Sequence, residues 1–171
     1  MTELTQSRLR ELLHYCPERG VFTWIVAAGR RVRVGDVAGY AKPDGYRQIM
    51  VNGKQYYAHR LARLYMTGAW PKDQIDHING VTGDNRWANL REATHAQNQQ
   101  NMAISSANKS GYMGVSWHGK AGNWQAQIKI SGRNKHLGYF TSPEDAHAAY
   151  LVAKANLHTF QPKPRIGEQI A

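Results

Sequence analysis

Cys16 is the only cysteine in this chain of 171 residues, and that limits how the chain can be held together. One thiol cannot form an internal disulfide, and it cannot supply the two or more thiolates that most structural zinc sites need. We therefore expect hydrophobic packing alone to stabilise the fold, and we expect no structural zinc. A chain of this length can form one ordinary domain or two to three small modules.

The charge distribution points to a polyanionic partner. The chain has 22 Lys and Arg against 12 Asp and Glu, a formal net charge of +10. No carboxylate occurs between Glu92 and Glu144. Five basic residues fall in that interval: Lys109, Lys120, Lys129, Arg133 and Lys135. A nucleic-acid-binding module explains this interval better than a generic solvated surface does.

The sequence also predicts what the chain does not contact. No segment approaches the roughly 18 to 20 consecutive apolar residues of a membrane span. The N-terminal segment MTELTQSRLRELLHYC contains acidic residues and no long apolar run, unlike a signal peptide. We therefore expect a cytoplasmic protein without a membrane partner.

Short helix and strand patterns alternate along the first half of the chain. Helices are predicted over residues 5–14 and 58–67, the second ended by Gly68 and Pro71. Strands are predicted at 21–25, 31–34, 46–51 and 54–58, and Asn52-Gly53 is a strong hairpin signal. Alternation in the second of these strands places Arg31 and Arg33 on one face, so both are candidate phosphate contacts.

The densest group of chemically active side chains lies in residues 75–101, IDHINGVTGDNRWANLREATHAQNQQN. Asp76 and His77 are adjacent, Asn89 follows His77 by twelve residues, and Asn98 follows nine residues later. Taken singly, such residues are more often turn, cap or salt-bridge features than parts of a site. Four in this register, in a basic chain, favour a functional site.

This pattern and the preceding AHRLARLYMTG resemble the HNH endonucleases, and the form is similar to that of phage and intron-encoded homing endonucleases. The resemblance covers about residues 46–101. It implies a ββα-metal fold, in which two antiparallel strands joined by a loop precede a helix. It also implies that Asn89 holds this loop and orients His77. The family often has His-Arg-Leu on the preceding helix, where His59 and Arg60 either contact phosphate and support the site or simply pack.

The chemistry of phosphodiester hydrolysis fits these residues. His77 can act as a general base, because its ordinary pKa lies near neutrality. Asp76 offers the hard anionic oxygen that Mg²⁺ prefers, and adjacent strand residues point to opposite sides. The resemblance makes Asn98 the second metal ligand, in place of the His of many relatives, which favours one Mg²⁺ or Mn²⁺ per site.

Residues 110–160 resemble an AP2 DNA-binding domain. The matching features are Gly114-Val115, the strand-like run Trp124–Ile128, LGYF at 137–140, and the helix start at Glu144. Three strands are predicted at 113–117, 124–130 and 135–140, followed by a helix that Ser142 caps. Plant AP2 domains have arginines on the first strand where this chain has Met113 and Ser116, so their target sequence cannot be transferred.

A three-stranded sheet packed on one side by a helix leaves its other side for the major groove. On the middle strand, Ala126, Ile128 and Ile130 are expected to face the helix. The candidate DNA-binding residues of this module are Trp117, His118, Lys120, Gln125, Gln127, Lys129, Arg133, Asn134 and His136.

We therefore expect an α+β protein. Residues 1–101 would form a β-rich N-terminal extension and an HNH nuclease domain (core 46–101), 102–110 a linker, 111–160 the AP2-like domain and 161–171 a tail. The expected function is divalent-metal-dependent cleavage of double-stranded DNA, with nicking also open, by a monomer that needs no small-molecule cofactor. The alternatives are a DNA-binding regulator with an inactive HNH domain and a phage nuclease of low specificity acting in an infected bacterium.

Overall fold

A computed structural model describes residues 3–29, 31–100, 104, 107–130 and 132–158. The described residues fall into two compact units, the first ending at Thr94 and the second beginning at His95. Both units mix helices with antiparallel strands, so the α+β prediction is confirmed. In the described ranges, no helix is long and apolar enough to cross a membrane. Residues 102, 103, 105 and 106 of the predicted linker and all of the predicted 161–171 tail lie outside the described residues.

The first unit runs as helix, hairpin, three-stranded sheet, helix and strand pair. In chain order its elements are α1 (Gln6–Leu12), β1 (Leu13–Cys16), β2 (Val21–Trp24), β3 (Tyr40–Ala41), β4 (Arg47–Val51), β5 (Lys54–Tyr57), α2 (Ala58–Thr67), β6 (Gln74–His77) and β7 (Leu90–Ala93). All of the strand pairs in this unit are antiparallel: β1 with β2, β3–β4–β5, and β6 with β7.

One hydrophobic cluster joins these elements. Its buried members come from α1, the β1–β2 hairpin, β4 and α2, and include Leu9, Leu13, Phe22, Ile49 and Leu61, all fully or almost fully buried. Trp87 and Leu90 pack against this cluster from the region that leads into β7. The strand pair that carries the motif is therefore anchored to the core of the first unit.

The second unit consists of α3 (His95–Gln100), β8 (Val115–His118), β9 (Asn123–Ile130), β10 (Arg133–Phe140) and α4 (Pro143–Leu157). β9 is the central strand of an antiparallel sheet, and α4 packs on it. The Ser142 hydroxyl accepts the Asp145 amide and caps α4 as predicted. Ala126 and Ile128 are buried, in agreement with the predicted inner face of β9.

The prediction of a strand over 31–34 is wrong, because this segment forms turns. The Arg33 amide donates to the Asp36 carboxylate at 2.7 Å, a local bond that replaces a strand pairing. Arg31 and Arg33 are exposed, but Val34 is 65 % exposed as well, so the expected division into a basic and an apolar face does not occur.

Two helix predictions need smaller corrections. The helix predicted over 5–14 ends at Leu12, and the chain continues directly as β1, so His14 lies on a strand. On α4, helical spacing predicts Leu157 in the same apolar stripe as Ala146 and Tyr150, but Leu157 is 38 % exposed and Lys154 is buried instead. The inner positions Ala146, Tyr150 and Lys154 follow an i, i+4, i+8 spacing that excludes Leu157.

Candidate active site on the β6–β7 strand pair

The β6–β7 pairing places the two central motif residues on opposite faces of one strand. Asp76 lies opposite Arg91, and His77 lies opposite Leu90. Side chains alternate along a strand, so the carboxylate and the imidazole point away from each other. Both residues are buried, Asp76 with 5 % and His77 with 4 % of its surface exposed.

Asn85 fixes the orientation of His77. Its Nδ2 donates to the Gly83 carbonyl at 3.1 Å, so its Oδ1 is the atom that faces His77 Nε2 at 3.2 Å. A neutral His77 must then carry its proton on Nε2, which leaves the basic lone pair on Nδ1. Asn85 is itself 2 % exposed, and its carbonyl accepts the Tyr15 hydroxyl at 2.6 Å.

Aromatic rings surround His77. The ring centroids of His59 and Tyr46 lie 5.2 Å and 5.8 Å from that of His77, and Tyr57 stacks on His59 at 5.3 Å. Burial lowers the pKa of His77, and the Asn85 hydrogen bond and the Asp76 charge oppose that shift only in part. The pKa of His59 falls to about 3, chiefly because of burial and in smaller part because of the nearby His77 and Arg60. Both imidazoles are therefore neutral at neutral pH.

Asn89 closes the loop between the two strands. Its Oδ1 accepts the Asn79 backbone amide at 3.0 Å, and its Nδ2 donates to Asn79 Oδ1 at 3.0 Å and to the Asp84 carbonyl at 2.8 Å. Its own carbonyl accepts the Ile78 amide at 2.9 Å. Asn89 therefore bonds to both ends of the segment that carries Asn85.

Asp84 organises the same loop through charge. Its carboxylate accepts Asn79 Nδ2 at 2.8 Å and Arg86 Nε at 2.8 Å. The Arg86 hydrogen bond is the main reason why the pKa of Asp84 falls to about 2. This carboxylate therefore stabilises the loop between β6 and β7.

An ion pair joins Asp76 to Arg91 directly across the strands. Arg91 Nε and Nη2 each lie 2.9 Å from Asp76 Oδ2. The Asp76 side chain is 6 % exposed and that of Arg91 is 24 % exposed. Arg91 therefore compensates the buried carboxylate and is the more accessible member of the pair.

The Asp76 carboxylate is the kind of oxygen ligand that a hard cation such as Mg²⁺ prefers. Within the described ranges, no three His, Cys, Asp or Glu side chains gather as a metal cluster. Asn98 lies on α3 in the second unit, and its place in the motif alone assigns it to the ion.

The remaining predicted contact in the first unit is Arg60, on α2. Its guanidinium donates to the Asp73 carbonyl at 3.2 Å and to the Pro71 carbonyl at 3.5 Å. These bonds tie α2 to the segment that enters β6. Its DNA-binding role, like those of Arg31 and Arg33, stays a prediction.

The second unit gathers most of its predicted contacts on one face of the sheet. Strand register places six of them on the side opposite α4: His118, Gln125, Gln127, Lys129, Asn134 and His136. Lys120 lies in the turn between β8 and β9. The register puts Trp117 and Arg133 on the other side of the sheet, with Ala126 and Ile128.

Tyr139 belongs to the same open face, although the sequence did not single it out. It is 49 % exposed, and its ring centroid lies 5.1 Å from that of His118 and 4.7 Å from that of His136. Gln125 Nε2 and His136 Nδ1 lie 3.0 Å apart. The face is therefore a connected polar and aromatic surface.

A strand pair that carries Asp-His and a loop closed by Asn89 is the arrangement that the resemblance to HNH endonucleases implied. A family model described as HNH endonuclease matches residues 56–100. The chain thus contains an HNH endonuclease domain, and the protein is an enzyme, a phosphodiester hydrolase. No curated protein and no solved structure matches the chain.

Three residues of the site are not predicted by the sequence analysis: Asn85, Arg91 and Tyr15. Strand pairing could have revealed Arg91, because a strand starting at Leu90 and ending opposite Gln74 puts it across from Asp76. Asn85 and Tyr15 gave no comparable signal, since loop conformation and the contact of a distant hairpin bring them to the site.

Proposed function

We propose that the protein is a divalent-metal-dependent endonuclease of the homing type that hydrolyses phosphodiesters in double-stranded DNA. The observation that carries the proposal is a buried, neutral His77 held by Asn85 on the face opposite Asp76. A neutral imidazole with a defined tautomer can accept a proton at neutral pH, and the HNH match supports DNA as the substrate.

In the proposed reaction His77 removes a proton from the attacking water through Nδ1, and Asn85 keeps the imidazole in position. Asp76 and Asn98 would hold one Mg²⁺ or Mn²⁺, which when bound would compensate negative charge on the phosphate and on the departing oxygen. Asn89 acts indirectly, because its hydrogen bonds hold the loop that positions Asn85 against His77. The expected products are a 5′-phosphate and a 3′-hydroxyl.

We further propose that the second unit is an AP2-like module that anchors the enzyme on the duplex. Its open sheet face offers amide and imidazole groups for base edges, and Lys129 for a guanine or a phosphate. The packing of α4 against the sheet, which leaves this face open, supports the proposal.

The decisive variant is His77→Ala, with His14→Ala as a matched control, because His14 is exposed on β1. We expect His77→Ala to lose cleavage of host genomic DNA in Mg²⁺ by at least a factor of about 100 and to retain DNA binding. Mapping the ends on each strand distinguishes nicking from a double-strand cut. Cleavage that survives in His77→Ala would remove this residue from its role.

One observation favours a second candidate, a DNA-binding regulator with an inactive nuclease domain. Arg91 occupies the Asp76 carboxylate, which a metal ion would need. A wild-type protein that binds DNA but cleaves none with Mg²⁺ or Mn²⁺ would establish this alternative. Equal cutting of random and genomic duplexes would instead indicate a nuclease of low specificity.

A further inference from the structure

Arg91 differs from an ordinary structural arginine in how it meets its partner. Its Nε and Nη2 both lie 2.9 Å from one oxygen of a buried carboxylate, Asp76 Oδ2. The next pair in the ribbon provides a comparison, because Glu92 on β7 pairs with Arg63 on α2 at 3.0 Å. In that pair both side chains are substantially exposed, at 30 % for Arg63 and 37 % for Glu92, whereas Asp76 is almost wholly buried.

Burial makes the Asp76–Arg91 pair sensitive to a second cation. A buried carboxylate needs a compensating charge, and Arg91 supplies it in the protein without metal. A divalent cation on the same carboxylate would repel the guanidinium and remove the reason for its present position. The planar fork of the guanidinium also matches the oxygens of a phosphate.

We propose that Arg91 is a phosphate-binding residue of this active site, which Asp76 holds until a divalent cation takes over the carboxylate. The inference rests on the proposed function and deepens it. Metal binding would then release Arg91 toward a non-bridging oxygen of the DNA backbone, close to the carboxylate that binds the metal. Metal and DNA would bind cooperatively, because the first ligand frees the group that the second one uses.

The test compares Arg91→Gln with Arg63→Gln, which removes the same charge from the pair on the opposite face of the ribbon. Without DNA, we expect Arg91→Gln to bind Mn²⁺ about tenfold more tightly than wild type, because a competing cation has gone. Electron paramagnetic resonance of free Mn²⁺ measures this affinity. Arg63→Gln should bind Mn²⁺ like wild type.

DNA affinity is measured in the His77→Ala background, which prevents cleavage. With Ca²⁺ present, Arg91→Gln should weaken binding of duplex DNA by about tenfold, and without a divalent ion it should change the affinity less than about twofold. Arg91→Lys keeps the charge but loses the fork, so it should leave Mn²⁺ affinity near that of wild type and weaken DNA binding in Ca²⁺. A purely structural Arg91 would produce none of this dependence on the metal.

Thermal unfolding in the presence of Mn²⁺ checks that each variant is folded. If Arg91→Gln does not fold, the DNA affinity of Arg91→Lys in Ca²⁺ tests the proposed role of Arg91. Weaker or unchanged Mn²⁺ binding by Arg91→Gln overturns the inference, as does a DNA affinity that falls equally with and without Ca²⁺. Neither measurement uses cleavage. A wild-type protein that cuts no DNA would therefore refute the proposed function without deciding the role of Arg91.

Discussion

At the scale of single residues, the Asn89 side chain shows how much of this site depends on one amide. Its carbonyl oxygen accepts the Asn79 amide, and its NH₂ group donates to Asn79 Oδ1 and to the Asp84 carbonyl. A carboxylate could keep the first bond but not the other two.

We therefore expect Asn89→Asp to destabilise the first unit by about 2 to 4 kcal/mol, since two acceptors would face a buried negative charge. Cleavage should fall in parallel, because the loop also carries Asn85. Urea unfolding read by amide hydrogen exchange in α2, together with a plasmid-nicking assay, measures both effects. Asn123→Asp, at a partly exposed site in the second unit, serves as the control, and a stable, active Asn89→Asp protein would contradict the bracing role.

His59 predicts a pH dependence of stability. Its pKa is about 3 in the folded protein and about 6.5 when unfolded, so the unfolded state binds a proton that the folded state does not. This contribution to stability is fully present above pH 6.5 and is lost as the pH falls toward 3. Over this pH range, the contribution of His59 to the free energy of unfolding falls by about 1.4 kcal/mol per pH unit.

His59→Phe should therefore flatten the loss of unfolding free energy between pH 6 and pH 4, relative to wild type. The groups that face His59 are His77, Arg60 and the phenols of Tyr46 and Tyr57, and all remain in the variant. The exposed His14, changed to Phe, provides the comparison. Identical pH profiles for wild type and His59→Phe would show that His59 titrates normally.

At the scale of elements, the β1–β2 hairpin supports the loop of the active site. The Tyr15 hydroxyl donates to the Asn85 carbonyl, and the Pro17 carbonyl accepts the Trp87 amide at 2.9 Å. Gly20, with φ of +68°, lies so close to the active-site loop that a Cβ atom there would clash with the backbone nitrogen of Arg86.

This close approach can be tested with two glycines. Gly53 has a similar φ of +75°, but a Cβ there meets nothing within 4 Å. Gly53→Ala should cost about 1 to 2 kcal/mol for the left-handed backbone alone, and Gly20→Ala about 1 to 3 kcal/mol more. Hydrogen exchange of the first unit measures the difference, and only Gly20→Ala should also slow cleavage. Equal costs would mean that the hairpin does not brace the loop.

Elements with strong local signals were predictable from the sequence. The helix predicted over 58–67 matches α2 residue for residue, and Asn52-Gly53 forms the expected hairpin with φ of +50° and +75°. The strand predicted over residues 31–34 does not form, because alternation predicts a strand only where a partner strand exists. The two-residue β3 is too short to leave a periodic pattern.

Half of the active site could also be predicted from the sequence. The spacing of Asp76 and His77 predicts two functions on opposite faces, because it depends only on strand alternation. The partners of those residues depend on the fold. Asn85 reaches His77 through an irregular loop, and Tyr15 reaches Asn85 from 70 residues away in sequence.

At the scale of the whole molecule, the start of the acid-free interval nearly coincides with the boundary between the two units. The acid-free interval 93–143 lies almost entirely in the second unit, where Lys129 is exposed on the open sheet face. In the first unit many basic side chains already have acidic partners, as Lys42 has in Asp44 at 2.7 Å.

We therefore expect Lys129→Gln to reduce the slope of log affinity for DNA against log salt concentration by about one. Lys42→Gln removes an equal charge but one already paired, so its slope should match that of wild type. Fluorescence anisotropy with a labelled duplex at several salt concentrations gives both slopes. Unchanged binding in Lys129→Gln would argue against DNA contact by this face.

The Tyr15–Asn85 hydrogen bond has a practical consequence for making smaller versions of this nuclease. The HNH match begins at residue 56, yet the tyrosine that supports Asn85 and much of the core around Leu61 lie upstream of it. A fragment cut at the edge of the match would keep Asp76, His77 and Asn89 but expose the apolar face of α2. The shortest version that can be engineered must therefore retain α1 and the first hairpin.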